Sequence, residues 1–133
     1  MSTATWFVMC PAGRAVSLGE LIEALKLPRR TTCTLDGDGV RFTTDDPEDG
    51  AQVDVTVGLS RAAHVRDEAA QLVASFGAEQ PNRDEVARYD ARYEILWDAA
   101  RSAATFHVVT SIAGALQKAC GGVIFDSTDG TFV

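Results

Sequence analysis

A chain of 133 residues, 46% apolar and 23% charged, has the size and composition of one globular domain that can bury a single core without staples. Asp and Glu number 19 against 12 Lys and Arg, a formal net charge of -7. That balance repels phosphate backbones and anionic bilayers, so neither nucleic acid nor membrane is an expected partner, whereas a basic protein would be drawn in.

The start, "MSTATWFVMC", lacks a basic leader region, and its apolar run is too short for a signal peptide. No run approaches the roughly 18 apolar residues of a transmembrane helix, so a cytoplasmic location is expected. Thr5 to Cys10 read as a buried strand closed by Pro11 and Gly13. Ser17 followed by Glu20 forms a capping box. Leu18, Leu21, Ile22 and Leu25 then recur at helical spacing until Pro28 ends the helix.

Cys33 and Leu35 alternate on one side of the next segment, as do Val40 and Phe42, with "DGDG" between them. Asp-Gly favours tight hairpin turns because Gly accepts positive φ, so two strands joined at Asp36 to Gly39 are expected. A calcium loop does not fit. With Asp36 and Asp38 as first and third ligands, the fifth position is Val40, the sixth Arg41 and the twelfth Pro47. "DDPEDG" is a loop, and "QVDVTVGL" a third strand with Val53, Val55 and Val57 inward. Ser60 is the expected cap of a second helix whose stripe is Val65, Ala69, Leu72, Val73 and Phe76, stopped by Gly77.

"RYDARYEILWD" fits a strand, with Tyr89, Ala91, Tyr93, Ile95 and Trp97 inward and Arg88, Asp90, Arg92, Glu94 and Leu96 on the outer, solvated side; a helix aligning Val86, Tyr89, Tyr93 and Leu96 is the alternative, and the aromatic and β-branched content favours the strand. A long helix within Ala99 to Cys120 carries Phe106, Val109, Ile112, Ala113 and Leu116 inward and stops at Gly121 and Gly122. "VIFD" is a last strand, followed by a second Asp-Gly turn and a short extended piece. The order is strand, helix, three strands, helix, strand, helix, strand. It implies one α+β domain over residues 1–133, a two-layer sandwich of mostly antiparallel sheet with about three helices on one face. An exposed edge strand would also permit a homodimer.

The sequence holds no G-x-S-x-G, H-E-x-x-H, Walker loop or G-x-G-x-x-G. Cys10, Cys33 and Cys120 are odd in number, far apart and without a C-x-x-C, which reads as buried, reduced thiols. Cys120 ends a helix, where the negative dipole end opposes a thiolate. His64 follows Arg61 near a helix start and reads as exposed. His107 is the one candidate base, on the Ala100, Ala104 and Ser111 side of the last helix, beside a candidate pocket. No catalytic residue, metal or cofactor is expected.

The remaining feature is acidic: Asp36, Asp38, Asp45, Asp46, Glu48 and Asp49 within residues 34–50. They form a solvated run or an interaction face able to pair with Lys and Arg of a partner. Trp6, Tyr89, Tyr93 and Trp97 would serve as anchors where exposed, and the alternation places the last three in the core.

The charged strand ending "ILWD", the helix with "IAGALQKACGG" and the closing "VIFDSTDGTF" resemble the tails of immunity proteins, small bacterial proteins encoded beside secreted toxins. The N-terminal strand and capped helix follow the same outline, so about half of the chain is covered. The resemblance implies a small acidic cytosolic domain that binds and blocks a cognate toxin. Its motifs are structural, and no binding residue is carried over from it. The expected function is therefore a non-catalytic inhibitor of a toxin or other basic protein; the alternative is a small enzyme or ligand-binding domain with a pocket near His107.

Overall fold

A computed structural model describes residues 3–11, 13–24, 31–36, 39–45, 52–98 and 103–133. In chain order they form β1 (Thr3–Cys10), α1 (Leu18–Ala24), β2 (Thr32–Asp36), β3 (Gly39–Asp45), β4 (Gln52–Ser60), α2 (Ala63–Phe76), α3 (Arg83–Val86), β5 (Ala91–Asp98), α4 (Ala103–Cys120), β6 (Val123–Asp126) and β7 (Thr131–Phe132). The strands make one antiparallel sheet in the order β2-β3-β4-β5-β1-β6-β7. The expected α+β class, an antiparallel sheet sandwiched with helices, is the architecture observed. No helix of the described residues is long and apolar enough to cross a membrane.

Local chemistry accounts for most element ends. The Glu20 amide donates to Ser17 Oγ at 3.3 Å, the capping bond read from the sequence. Leu25 and Pro28 lie outside the described residues. The β2–β3 hairpin closes with Asp36 opposite Gly39. Gly77 ends α2 by donating its amide to the Val73 carbonyl at 2.9 Å. The second Asp-Gly turn places Gly130 at φ 71, with its amide donating to the Asp126 carbonyl.

The first core lies under α4. Trp6, Val8 and Cys10 of β1, Val40 and Phe42 of β3, Val55 and Val57 of β4, and Tyr93 and Ile95 of β5 meet Val108, Val109, Ile112, Ala113 and Leu116 of α4. A fully buried side chain of this size contributes roughly 1.5–3 kcal/mol. Tyr93 ties this core to the chain entering α1. Its hydroxyl donates to the Val16 carbonyl and accepts from the Val16 amide at 2.8 Å.

The helices divide between the two faces, which the expectation of about three on one face did not include. Phe7 and Met9, the odd residues of β1, point away from α4 into a second core with Val123 and Phe125 of β6, Ala69 and Val73 of α2, Val86 of α3 and Tyr89. The reason lies in β1 itself. Its run is apolar on both sides, and one helix layer can cover only one.

Three sequence readings change as a consequence. Arg92, expected on a solvated side, is 5% exposed. α2 covers it, Glu68 pairs with its Nη1, Glu94 Oε1 accepts from Nε at 3.0 Å and Nη2 at 2.8 Å, and its guanidinium sits 4.0 Å over the Phe7 ring. Tyr89 precedes β5 and packs in the second core. Ser60 does not cap α2: β4 continues through it, and Ala62 takes the N-cap without a side-chain bond.

Candidate functional site

Antiparallel pairing decides which strand ends lie together. Asp45 pairs with Gln52, Thr43 with Asp54, Thr3 with Asp98 and Trp6 with Asp126. The close of β3, the start of β4 and the closes of β5 and β6 thus share one end of the sheet. Asp45, Asp54, Asp98, Asp126 and, in the turn after β6, Asp129 belong to that end. From β3 to β6 is four strand spacings, roughly 19 Å. Such a width matches a standard interface patch of roughly 800 Å² per partner.

These carboxylates differ in their bonding. Asp54 Oδ1 accepts from Thr43 Oγ1 at 2.9 Å, and the pair stands on the open face of the sheet. Asp126 Oδ1 accepts the amides of Thr128 at 2.9 Å and Asp129 at 3.2 Å, so it builds its own turn. Asp45 and Asp129 are exposed.

Aromatic rings lie behind this end. Trp6 meets Trp97 edge to face at 5.9 Å and Phe106 at 5.5 Å. Trp6 is buried, Trp97 half-buried and Phe106 50% exposed. Phe106 was expected in the α4 stripe; the buried stripe instead runs through Val108, Val109, Ile112, Ala113 and Leu116, leaving Phe106 at its margin. Of the four aromatic residues singled out in the sequence, Tyr89 and Tyr93 are buried as expected.

Of the six carboxylates read from the sequence, the structure describes Asp45 and the backbone of Asp36, and these two stand apart. The backbone of Asp36 closes β2 at the hairpin end of the sheet, while Asp45 closes β3 at the opposite end. The seven residues of β3 hold those ends roughly 20 Å apart. The side chain of Asp36, and Asp38, Asp46, Glu48 and Asp49 altogether, lie outside the described residues. Asp54 and Asp98 join Asp45 only through strand pairing. The alternation of "QVDVTV" already puts Asp54 on the polar side, but no local signal shows which strand ends meet.

The opposite end has other chemistry. A cleft of about 670 Å³ opens there at the start of α2, lined among others by Gly13, Arg61, Arg66, Asp67 and Asp90. Two Arg and two Asp offset one another, and Arg61 Nη2 donates to the Ala15 carbonyl at 3.2 Å. His107 is not among the residues lining this cleft. It is exposed on α4, and its carbonyl accepts from Thr110 Oγ1 and Ser111 Oγ, both at 2.9 Å. His64 is exposed near the start of α2. Among the described residues no group of three His, Cys, Asp or Glu side chains is placed to hold a metal ion.

No protein-family model, curated protein or solved structure matches this chain.

Proposed function

We propose that the chain is a non-catalytic binding protein of the immunity type, which neutralises a basic toxin by covering it with an acidic surface. The observation that carries this reading is the gathering of Asp45, Asp54, Asp98 and Asp129 from separate elements at one end of the sheet. The net charge of -7 would speed encounter with a cationic partner. Phe106 and the accessible edge of Trp97, on the α4 side of the same end, would supply apolar anchors next to the acidic strand ends. The carboxylates would occupy the positions of phosphate groups that a nucleic-acid-directed toxin expects.

The division of the acids between two ends makes the reading testable. The probe is the purified product of the adjacent gene, titrated calorimetrically at low and high salt. Asp45→Asn together with Asp54→Asn is expected to weaken binding about ten-fold or more at low salt, since interface charges act over roughly a Debye length. Asp36→Asn, at the close of β2, is expected to change it less than about two-fold. Equal indifference to both changes removes the acidic surface from the explanation. No binding of that protein at all removes the immunity reading.

A further inference from the structure

Cys10 and Cys120 are 110 residues apart in the chain, yet their sulfurs lie 3.2 Å apart. Both side chains are 0% exposed. Cys10 ends β1 and Cys120 ends α4, and the two glycines that follow α4 bring the ends together. Gly121 turns the chain at φ 69. Gly122 then approaches β1 so closely that a Cβ would sit 2.2 Å from the Met9 carbonyl oxygen and 2.9 Å from Cys120 Sγ. No side chain fits there, so the absence of one at Gly122 is what lets the end of α4 press onto β1.

We propose that Cys10 and Cys120 form a thiol–disulfide site, in which a small peroxide oxidises the pair to an internal disulfide joining the end of β1 to the end of α4. A disulfide needs sulfurs about 2.05 Å apart, an approach of about 1 Å from the observed separation. The site is too buried for a bulky oxidant, which selects a molecule the size of hydrogen peroxide.

The roles of the two sulfurs follow from their surroundings. The Cys10 thiol donates towards Cys120 and also lies 3.5 Å from the Val8 carbonyl. That donated hydrogen bond, opposed by burial and aided by the Gly122 amide and Arg14, holds the Cys120 thiol below its ordinary value. The partnership with Cys120, then burial, pushes Cys10 up, while nearby Arg61 and Asp90 act on it in opposite directions. The donated bond from Cys10 favours a Cys120 thiolate, while the helix C-terminal dipole acts against it.

Cys120 is the nucleophile. Its thiolate attacks one peroxide oxygen, the O–O bond breaks, and the leaving hydroxide takes a proton to become water, giving a sulfenic acid. Cys10 sulfur then attacks Cys120 sulfur. The S–O bond breaks, and the departing hydroxide takes the Cys10 proton as a second water. Two electrons pass from the two thiols to one peroxide. Cys33 stands apart as an internal control, since β2 lies four places from β1 in the sheet.

The test treats the folded, reduced chain with equimolar hydrogen peroxide, then denatures it in an alkylating agent and maps the peptides. The expected result is a Cys10–Cys120 linked peptide, an intact mass lower by two hydrogens, and an alkylated Cys33. Dithiothreitol restores all three alkylated thiols, and a Cys33→Ala chain gives the same linked peptide. Alkylation of both Cys10 and Cys120 after peroxide treatment would overturn the proposal. So would Cys120 recovered as sulfinic acid without the link, or a disulfide through Cys33 as the product.

Discussion

β1 and β4 both pair with β5, and they solve different packing problems. β4, "QVDVTVGLS", buries Val53, Val55 and Val57 and leaves Gln52, Asp54 and Thr56 in solvent. β1, "TATWFVMC", buries Trp6, Val8 and Cys10 under α4, and Met9 on the other face with α2, α3 and β6. One strand is alternating and half open, the other continuous and enclosed. The difference teaches that an unbroken apolar run inside an antiparallel sheet reports cover on both sides, as it does in parallel sheets. It also separates tasks. The enclosed strands hold the domain together, and the β2–β3–β4 face with the acidic strand ends stays available to water or a partner.

The comparison breaks first if the shared core under α4 is not the main support. Ile112 is fully buried there, and Ile112→Ala is expected to lower unfolding free energy by about 3–4 kcal/mol in a denaturant titration. A loss below about 1 kcal/mol would mean that α4 is loosely held. Next comes Tyr93. Burial, and then the neighbouring Cys10, push its phenol up to about 12, against an ordinary value near 10. The folded state thus favours the protonated phenol. Its contribution is whole below about pH 10 and disappears as pH rises through about 12. Tyr93→Phe should remove about 2–3 kcal/mol of that alkaline loss, seen as a flatter stability profile between those values. An unchanged profile would show that Tyr93 does not titrate with unfolding.

Arg92 sharpens the second face. Arg92→Ala is expected to cost about 2 kcal/mol, because the Glu68 and Glu94 partners are only partly buried and the contact with Phe7 is lost as well. Arg41, exposed on the open face of β3, provides the reference. Arg41→Ala should stay within about 0.5 kcal/mol in the same titration. Equal costs for the two would mean that α2 does not close over β1.

Several elements are legible in the sequence for local reasons. The Ser17 cap, the Asp36–Gly39 hairpin, the alternation of β4 and the α4 stripe each rest on residues close to one another along the chain. The readings that changed all depend on distant chain. Arg92 looks solvated in an alternating strand until α2 lies over it. Phe106 looks like core until α4 takes its rotation on the sheet. Cys10 and Cys120 look unrelated until two glycines bring their elements into contact. The acidic residues follow the same rule: their number is plain, but their grouping is set by which strand ends meet.

By itself the sequence determined the charge, the order of the longer elements, though not the short α3 at Arg83–Val86, and the α+β class, since short-range periodicity, caps and turns act within a few residues. Only the tertiary structure decided that helices cover both faces near β1, that Asp45 stands with Asp54 and Asp98 far from Asp36, and that two thiols touch. Those outcomes depend on strand order and register, which are selected by long-range burial of the whole apolar surface rather than by any local pattern.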